Sequence, residues 1–468
     1  MAAPEPKPAV PQPASSRPAS TQPSSTQPSS TQPAPAQSSP TRPSALKRPA
    51  APGAERSSKP AKAHTGERLV SLDAYRGFIM LAMASGGFAV ATVVRKNPSL
   101  NENETWRFLA QQLDHVEWRG CAFWDLIQPS FMFMVGVSMA YSYANRQARG
   151  QSYARMFGHA LFRSLVLVAL GVFLSSNGDS RTNFVFANVL CQIGLGYTFL
   201  FLLWNRPVAG QLLAAAVILL GDWALFYYYP VPEAEFDYAK VGIKADWPHL
   251  EGTEAHWDKN TNVAAAVDRT LLNWFPREKT FEYSDGGYTT LNFLPSLATM
   301  IFGLLAGGLL RGSLSPAAKL AALVAAGAAC LALGWSLDHY GVCPSVKRIW
   351  TPSWALLSTG WTFLMLAGFY GVIDLIGFRR SALPFVVVGT NSIVVYCISQ
   401  LIGGQNGWIA QSLQRHFGEG LFLGYGKIGT IFGQPVAIFE PITRMVLVLF
   451  VIWLVCCWLY RQRLFVRI

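Results

Sequence analysis

The chain has 468 residues, of which 51% are hydrophobic and only 14% are charged, and its formal net charge is +12. A soluble domain carries about 25% charged residues, so this composition excludes an ordinary soluble protein and indicates a chain that crosses a membrane. The positive charge does not indicate nucleic-acid binding, because the basic residues lie in short stretches between apolar runs.

The first part of the chain differs in composition from the rest. Residues 1–66 are rich in Pro, Ser, Thr, Gln and Ala, and the unit Ser-Thr-Gln-Pro recurs from Ser20, Ser25 and Ser30. Such a segment cannot bury enough apolar surface to offset the entropy lost on ordering. We therefore predict a disordered cytoplasmic tail, 1–66, followed by one transmembrane domain, 67–468.

Long apolar runs follow the tail, and most of them, with their flanks, reach the roughly 20 residues that cross a bilayer. These runs are 77–94, 165–174, 189–204, 212–225, 293–310, 320–333, 355–372, 383–402 and 445–460. With a further segment that begins near Asp125, they predict an all-α fold, a polytopic bundle of about ten transmembrane helices. Gly86-Gly87 and Gly307-Gly308 are positions where a helix is easily loosened, although glycine also permits close helix packing.

Basic residues cluster after every second predicted span, and the positive-inside rule places such clusters in the cytoplasm. They are Arg146, Arg149, Arg155, Arg163, Arg206, Arg311, Lys319, Arg379, Arg380, Arg461, Arg463 and Arg467. The N-terminus is then cytoplasmic, and the long loop 231–290 lies on the outer side. That loop mixes carboxylates with aromatic residues, a composition that suits stacking on sugars or, equally, an interfacial aromatic belt.

Ionisable residues at the edge of a bilayer are costly and are therefore candidates for function. Asp73 and Arg76 are three positions apart at the start of the first predicted helix, so they share a face. They either pair for structural reasons or offer the arginine to phosphates of a cytosolic ligand.

A second set of ionisable residues lies ahead of the second span. His115 precedes Asp125, and an imidazole beside a buried carboxylate is the usual arrangement of a general base. An interfacial structural histidine is the alternative. Cys121 is better explained as a small residue at a helix start than as a nucleophile. The other loop histidines, His249, His256, His339 and His416, are expected to be solvated, and no metal site is predicted.

Several segments resemble the heparan-alpha-glucosaminide N-acetyltransferase family, above all its bacterial branch. They occur in the family's order over about residues 68–400. The matching segments are 68–77, 115–120, 124–129, 131–136, 262–269, 294–299 with Gly303 and Gly307, 347–353 and 389–396. The family's segment Val-Leu-x-Arg-Ile has glutamine here, Gln192, in place of arginine, and the spans beyond Leu401 match only in hydrophobicity.

The resemblance implies an acetyltransferase that moves an acetyl group from cytosolic acetyl-CoA across the membrane to an amino sugar or glycan. It implies that His115 is the active-site histidine and that Asp125 is its acidic partner. Asn391 matches the asparagine of the family's Gly-x-Asn-Ser-Ile motif. The nucleotide of acetyl-CoA is expected near Asp73, Arg76 and Arg163, and the donor-binding set is completed by Gln192 and Asn391.

Two other functions remain alternatives at this stage. A transporter or sugar-binding membrane protein would need no catalytic histidine, although no repeat between the halves of the chain supports it. The members of the other large family of membrane acyltransferases resemble one another in carrying a histidine within the first helix. The corresponding run here, 77–94, contains no histidine. The bacterial resemblance favours a bacterial cytoplasmic membrane. The oligomeric state stays open, a homodimer included.

Overall fold

The structure, a computed structural model, describes residues 69–423, 430–431 and 434–466. The predicted tail, 1–66, lies outside the described residues. The regular secondary structure of the described part is almost entirely helical. Its helices are α1 (Val70–Ala84), α2 (Val90–Lys96), α3 (Pro98–Asn101), α4 (Glu104–Gln112), α5 (Ile127–Ala148), α6 (Tyr153–Ser175), α7 (Val189–Leu203), α8 (Val208–Tyr227), α9 (Val263–Leu271), α10 (Phe293–Arg311), α11 (Pro316–His339), α12 (Pro352–Phe369), α13 (Leu383–Gly389), α14 (Ser392–Leu401), α15 (Trp408–Phe417) and α16 (Glu440–Arg461). Two short antiparallel strands, β1 (Thr430–Ile431) and β2 (Gln434–Pro435), complete the described part.

The predicted all-α membrane bundle is confirmed. Among the described residues, seven helices are long and apolar enough to cross a membrane, or eight if the bent pair α13 and α14 forms one span. This number is lower than the predicted ten. The predicted segments also include α5, with 22 residues, and α7, with 15, and neither belongs to the set of seven.

Helix ends are set by local sequence signals. The side chains of Ser152, Asn188, Ser315 and Thr351 accept backbone N–H groups at the starts of α6, α7, α11 and α12. Pro316 and Pro352 occupy the first helical position, where the missing N–H costs nothing. The polar connections between apolar runs therefore help to determine where these four helices begin.

Glycines allow the central helices to touch through their backbones. A Cβ atom on Gly136 in α5 would overlap the carbonyl oxygen of Met300, and one on Gly303 in α10 would overlap that of Phe133. Gly77 and Gly389 make the same kind of close approach between α1 and α13. Small residues let transmembrane helices approach closely, so these crossings fix the helices that carry the site.

Two of the predicted spans are broken. Gly86, Gly87, Phe88 and Ala89 all have positive φ angles, and they separate α1 from α2. The helices α13 and α14 meet at an angle of 78° near Asn391. The Gly86-Gly87 break was anticipated as a loosened helix, whereas Gly307-Gly308 lies within the continuous helix α10. Non-helical backbone at membrane depth is tolerated where protein surrounds it or where it lines a cavity.

The long loop between α8 and α10 folds into a cap, defined here as residues 228–292. Its Trp257 is fully buried and stacks on Phe226 of α8, with ring centroids 6.3 Å apart. Trp118 packs in the same cluster and donates its indole N–H to the carbonyl of Trp257 at 3.2 Å. The cap therefore holds the segment that contains His115 against the end of the bundle.

Candidate active site

His115 and Asp125 contact each other at the end of the bundle that the cap covers. Nδ1 of His115 lies 2.7 Å from Oδ1 of Asp125. Asp125 is fully buried in a short turn, Phe123–Leu126, that leads into α5, whereas the His115 side chain is 38% exposed. The structure thus brings together the two residues that the sequence predicts as a catalytic pair.

The Asp125 carboxylate is held from both sides. Its Oδ2 accepts the backbone N–H groups of Val116 and Ala122 at 3.3 and 3.2 Å. Its Oδ1 also lies 3.2 Å from Nζ of Lys347, which is 4% exposed. Burial alone would raise the pKa of Asp125, but the hydrogen bond to His115 and the charge of Lys347 together bring it below its ordinary value. Asp125 is therefore an ionised, oriented carboxylate at neutral pH.

Backbone pairing brings Lys347 to this carboxylate. Arg119 and Val346 form an isolated antiparallel bridge, and the N–H of Gly120 donates to the carbonyl of Ser345 at 2.9 Å. The Arg119 guanidinium donates to Asp338 at 3.0 Å, at the end of α11. The segment after His115 is thus fastened to the connection between α11 and α12.

The nitrogen that carries the proton on the His115 ring determines whether the ring can act as a base. Nδ1 lies near both Oδ1 of Asp125 and, at 2.9 Å, Nζ of Lys347. A carboxylate only accepts hydrogen bonds and an ammonium only donates them. We assign the Nδ1 proton to the shorter contact with Asp125, and the Lys347 ammonium then donates to the same carboxylate. This assignment leaves the Nε2 lone pair free to accept a proton.

A cavity of about 510 Å³ opens beside this group. His115 and Lys347 line it, together with Trp124 and Tyr288. Small-molecule sites have volumes of about 300–1,000 Å³, with mostly apolar walls and a few converging polar groups. The cavity therefore has the size and lining of a site for a small substrate or for the reactive end of a larger one.

Asp268 of α9 lines the same cavity and is 2% exposed. Its Oδ2 accepts the N–H of Thr290 at 3.0 Å. Its Oδ1 has no hydrogen-bond partner among the described residues. Burial raises the pKa of Asp268 to about 6, and the polar groups of Thr290 and the charge of Arg277 oppose this shift. The cavity therefore contains a second carboxylate besides Asp125.

Asp73 and Arg76 pair with each other away from this cavity, whose described lining includes neither residue. Nη1 of Arg76 lies 3.3 Å from Oδ1 of Asp73, and Nη2 donates to Oγ of Ser138 at 2.7 Å. Ser138 lies in α5, about 17 Å of helix axis beyond Ile127. The structure thus places Arg76 in the bundle, joining α1 to α5.

The other predicted donor-binding residues lie in three different places. The Arg163 guanidinium covers the ring of Tyr197 at 4.8 Å, and its Nε has no hydrogen-bond partner among the described residues. Gln192 donates from Nε2 to the carbonyls of Phe186, Thr289 and Thr290 at 3.1, 3.3 and 3.2 Å. Phe186 and Thr290 line the cavity, so Gln192 braces its wall at the His115 end.

Asn391 uses its side-chain amide within the protein. It donates to the carbonyl of Leu464 and accepts the N–H of Val466, each at 3.0 Å. It thereby fastens the segment after α16 to the bend between α13 and α14. A donor-binding role for Asn391 stays a prediction.

Sequence reasoning assigned no role to Lys347 or Asp268. Both lie in segments that carry the family resemblance, 347–353 and 262–269. Lys347 and Arg348 also form a basic pair in a loop that the positive-inside rule assigns to the outer side, which was a usable signal. Of the other histidines, His249 is exposed, as expected, and its Nδ1 also lies 2.6 Å from Oδ2 of the buried Asp258.

The fold and the site together define a helical membrane protein with a histidine–carboxylate pair in a cavity. No family model matches the chain. Human heparan-alpha-glucosaminide N-acetyltransferase is 23% identical over 372 residues, which are 70% of this chain and 52% of the human protein. The mouse protein of the same name is 23% identical over 375 residues, 71% of this chain and 53% of its own length. The chain is thus a distant relative of these acetyltransferases and spans about half of their length.

Proposed function

We propose that this protein is a transmembrane acetyltransferase that moves an acetyl group from cytosolic acetyl-CoA to an amino sugar or glycan on the outer side. The observation that carries the proposal is the contact of His115 with the buried carboxylate of Asp125 at a cavity in a membrane bundle. The distant relationship to membrane proteins named N-acetyltransferases supports the reaction class.

The reaction needs a base for the acceptor and a proton for the leaving thiol. With its Nδ1–H directed at Asp125, His115 takes a proton on Nε2 from the acceptor nitrogen as that nitrogen attacks the thioester carbonyl. The new C–N bond forms, the C–S bond breaks, and His115 returns the proton to the sulfur of CoA. In a second route the acetyl group rests on Nε2 before it reaches the acceptor.

Asp125 supports His115 from outside the cavity lining, and Lys347 supports the pair from the cavity wall. The carboxylate keeps the imidazole in one tautomer and stabilises the imidazolium that forms. Lys347 keeps this carboxylate ionised, because its charge lowers the pKa of Asp125. Both are positioning residues in this mechanism.

The donor nucleotide is proposed to bind towards the opposite end of the bundle. Arg163 is the leading contact for a phosphate, because its Nε is buried and has no hydrogen-bond partner among the described residues. Asp73 and Arg76, in the first two turns of α1, are proposed to lie beside the path that the pantetheine arm would follow. Gln192 and Asn391 support the walls of this path, since their amides already bond to the backbone.

The test is acetyl transfer by the purified full chain in detergent, with acetyl-CoA as donor and glucosamine or glycans as acceptors. His115→Ala should abolish transfer and leave the affinity for acetyl-CoA nearly unchanged. His249→Ala is the matched control, because His249 also contacts a buried carboxylate but does not line the cavity. Full transfer by folded His115→Ala would disprove the assignment.

The orientation is a separate part of the proposal: the N-terminus lies in the cytoplasm of a bacterium, and the cap faces outward. It rests on the distribution of basic residues between the apolar runs. A membrane-impermeant thiol reagent should label an exposed cysteine placed at Glu235 of the cap in intact cells, in a background without the native cysteines. Labelling only after the cells are opened would reverse the orientation.

A transporter is the second candidate function, and the two broken spans favour it. The helix α1, which the break at 86–89 separates from α2, crosses α13, half of the bent pair, at Gly77 and Gly389. Transporters often place their sites at interrupted helices. Uptake of amino sugar into vesicles that persists in His115→Ala would support transport. Acetylation without net uptake would support the enzyme.

A further inference from the structure

Asp268 has an unused hydrogen-bonding position inside the protein. The residue is 2% exposed, and its Oδ2 is occupied by the N–H of Thr290. Its Oδ1 has no partner among the described residues, and the side chain lines the cavity that also contains His115. A buried acceptor without a partner is costly, so such an atom is expected to meet a donor when the site is filled.

The charged groups around Asp268 do not satisfy this oxygen. Arg277 is the nearby cation, but it donates from Nε to the carbonyl of Leu272 and from Nη2 to that of Phe184, at 2.7 and 2.5 Å. Lys347, which lines the cavity, lies against Asp125. The Thr290 hydroxyl also has no hydrogen-bond partner among the described residues, so neither it nor a cation occupies this oxygen. The oxygen is therefore open to a donor that comes from outside the protein.

We propose that Oδ1 of Asp268 binds the amino group of the acceptor and holds it in the cavity shared with His115. This assignment rests on the proposed acetyltransferase function and adds the residue that selects the acceptor. A carboxylate binds an ammonium group more strongly than a neutral hydroxyl group, because the hydrogen bond is charge-assisted. The bound ammonium loses one proton to solvent before the nitrogen attacks, and His115 takes the second proton during the attack. Asp268 is thus a specificity-determining residue, which favours amines over alcohols.

The protonation of Asp268 gives the proposal a pH dependence. With its pKa raised to about 6, Asp268 is neutral at pH 5 and ionised at pH 7. Glucosamine keeps its charged ammonium group through most of this range. Its affinity for the wild-type protein should therefore rise as the pH rises from 5 to 7, whereas the affinity for neutral glucose should not.

The experiment measures binding of glucosamine and glucose by calorimetry, and transfer at saturating acetyl-CoA. Asp268→Asn keeps the shape of the side chain but removes the charge, and should weaken glucosamine binding and raise its KM by about 10- to 100-fold. The affinity for acetyl-CoA should not change. Glu235→Gln, an exposed carboxylate of the same cap, is the control and should behave as wild type.

The outcomes separate this proposal from the proposed function. Unchanged glucosamine affinity in folded Asp268→Asn would overturn the role of Asp268, even if His115→Ala abolishes transfer. A wild type that binds glucosamine through Asp268 but transfers no acetyl group would overturn only the acetyltransferase function. If Asp268→Asn does not fold, the pH dependence of wild-type binding decides, and equal pH profiles for glucosamine and glucose would disprove the proposal.

Discussion

Nζ of Lys347 lies 2.9 Å from Nδ1 of His115, although 232 positions separate the two residues in the chain. Both atoms contact Oδ1 of Asp125, so a lysine, a histidine and a carboxylate share one small volume. Burial lowers the pKa of Lys347, and the attraction of Asp125 opposes that shift. The balance of charge in this group determines whether His115 can act as a base.

Replacing Lys347 with glutamine should change both the stability and the pH profile. Removing one partner of a buried ion pair costs about 3–5 kcal/mol, so the apparent melting temperature should fall. The pKa of Asp125 should rise without the lysine, which moves the acidic limb of the transfer rate to higher pH. A comparison of the transfer rate at about pH 5.5 with the rate at about pH 8, in the variant and in the wild type, tests this shift of the acidic limb.

The pH range in which Asp125 stabilises the fold follows from the direction in which its pKa is shifted. Its pKa is lower in the folded protein than in the unfolded chain, so its ionised form stabilises the fold above the unfolded value of about 3.9. This contribution is lost as the pH falls through the folded value. Lys240→Gln, at a side chain that is 79% exposed, is the control for Lys347→Gln. It should alter neither the melting temperature nor the pH profile of transfer.

Asp125→Asn should lower kcat and leave the affinity for acetyl-CoA unchanged. An asparagine amide can donate to Nδ1 of His115 and so place the imidazole proton on Nε2, where the lone pair is needed. The corresponding change in serine proteases costs on the order of 10⁴ in kcat, and a loss of about 10²–10⁴ is expected here. A kcat close to wild type would show that the tautomer of His115 does not matter.

Cys121→Ser should retain transfer. The thiol lies beside the site, but burial, reinforced by the charge of Asp125, raises its pKa to about 12 against the opposing charge of Lys347. The thiolate is the nucleophilic form, so this cysteine is a poor acyl carrier at neutral pH. Mass spectrometry after incubation with acetyl-CoA should find no acetyl group on Cys121. Loss of transfer in a stable Cys121→Ser protein would contradict the histidine mechanism.

Gly303→Ala should destabilise the bundle. The added methyl group would overlap the carbonyl oxygen of Phe133 and push α10 away from α5, the helix that follows Asp125. Overpacking of this kind costs about 1–3 kcal/mol, and the apparent melting temperature in detergent reports it. Gly308→Ala in the same helix is the control, because a Cβ there meets nothing within 4 Å. Equal melting temperatures for the two variants would disprove the role of the crossing.

Helix positions were largely readable from the sequence, because each span needs a long apolar run. The run 189–204 became Val189–Leu203 almost unchanged. The run 383–402 was expected to be one span, but it bends by 78° near Asn391. Hydrophobicity reports how well a segment suits lipid and says nothing about the direction of its backbone. At the bend, Asn391 forms hydrogen bonds to Leu464 and Val466, which follow the last helix.

The sequence by itself determined the all-α membrane class, most helix positions, and the candidate pair His115 and Asp125. Apolar runs and short spacings are local properties, and for this pair ten positions of chain connect the two partners. Only the tertiary structure decided that Lys347 joins this pair, that Asp268 lines the same cavity, and that Gln192 braces the wall. These contacts join distant segments through backbone pairing, helix crossings and the folded cap. They depend on how the helices pack together, which no local pattern specifies.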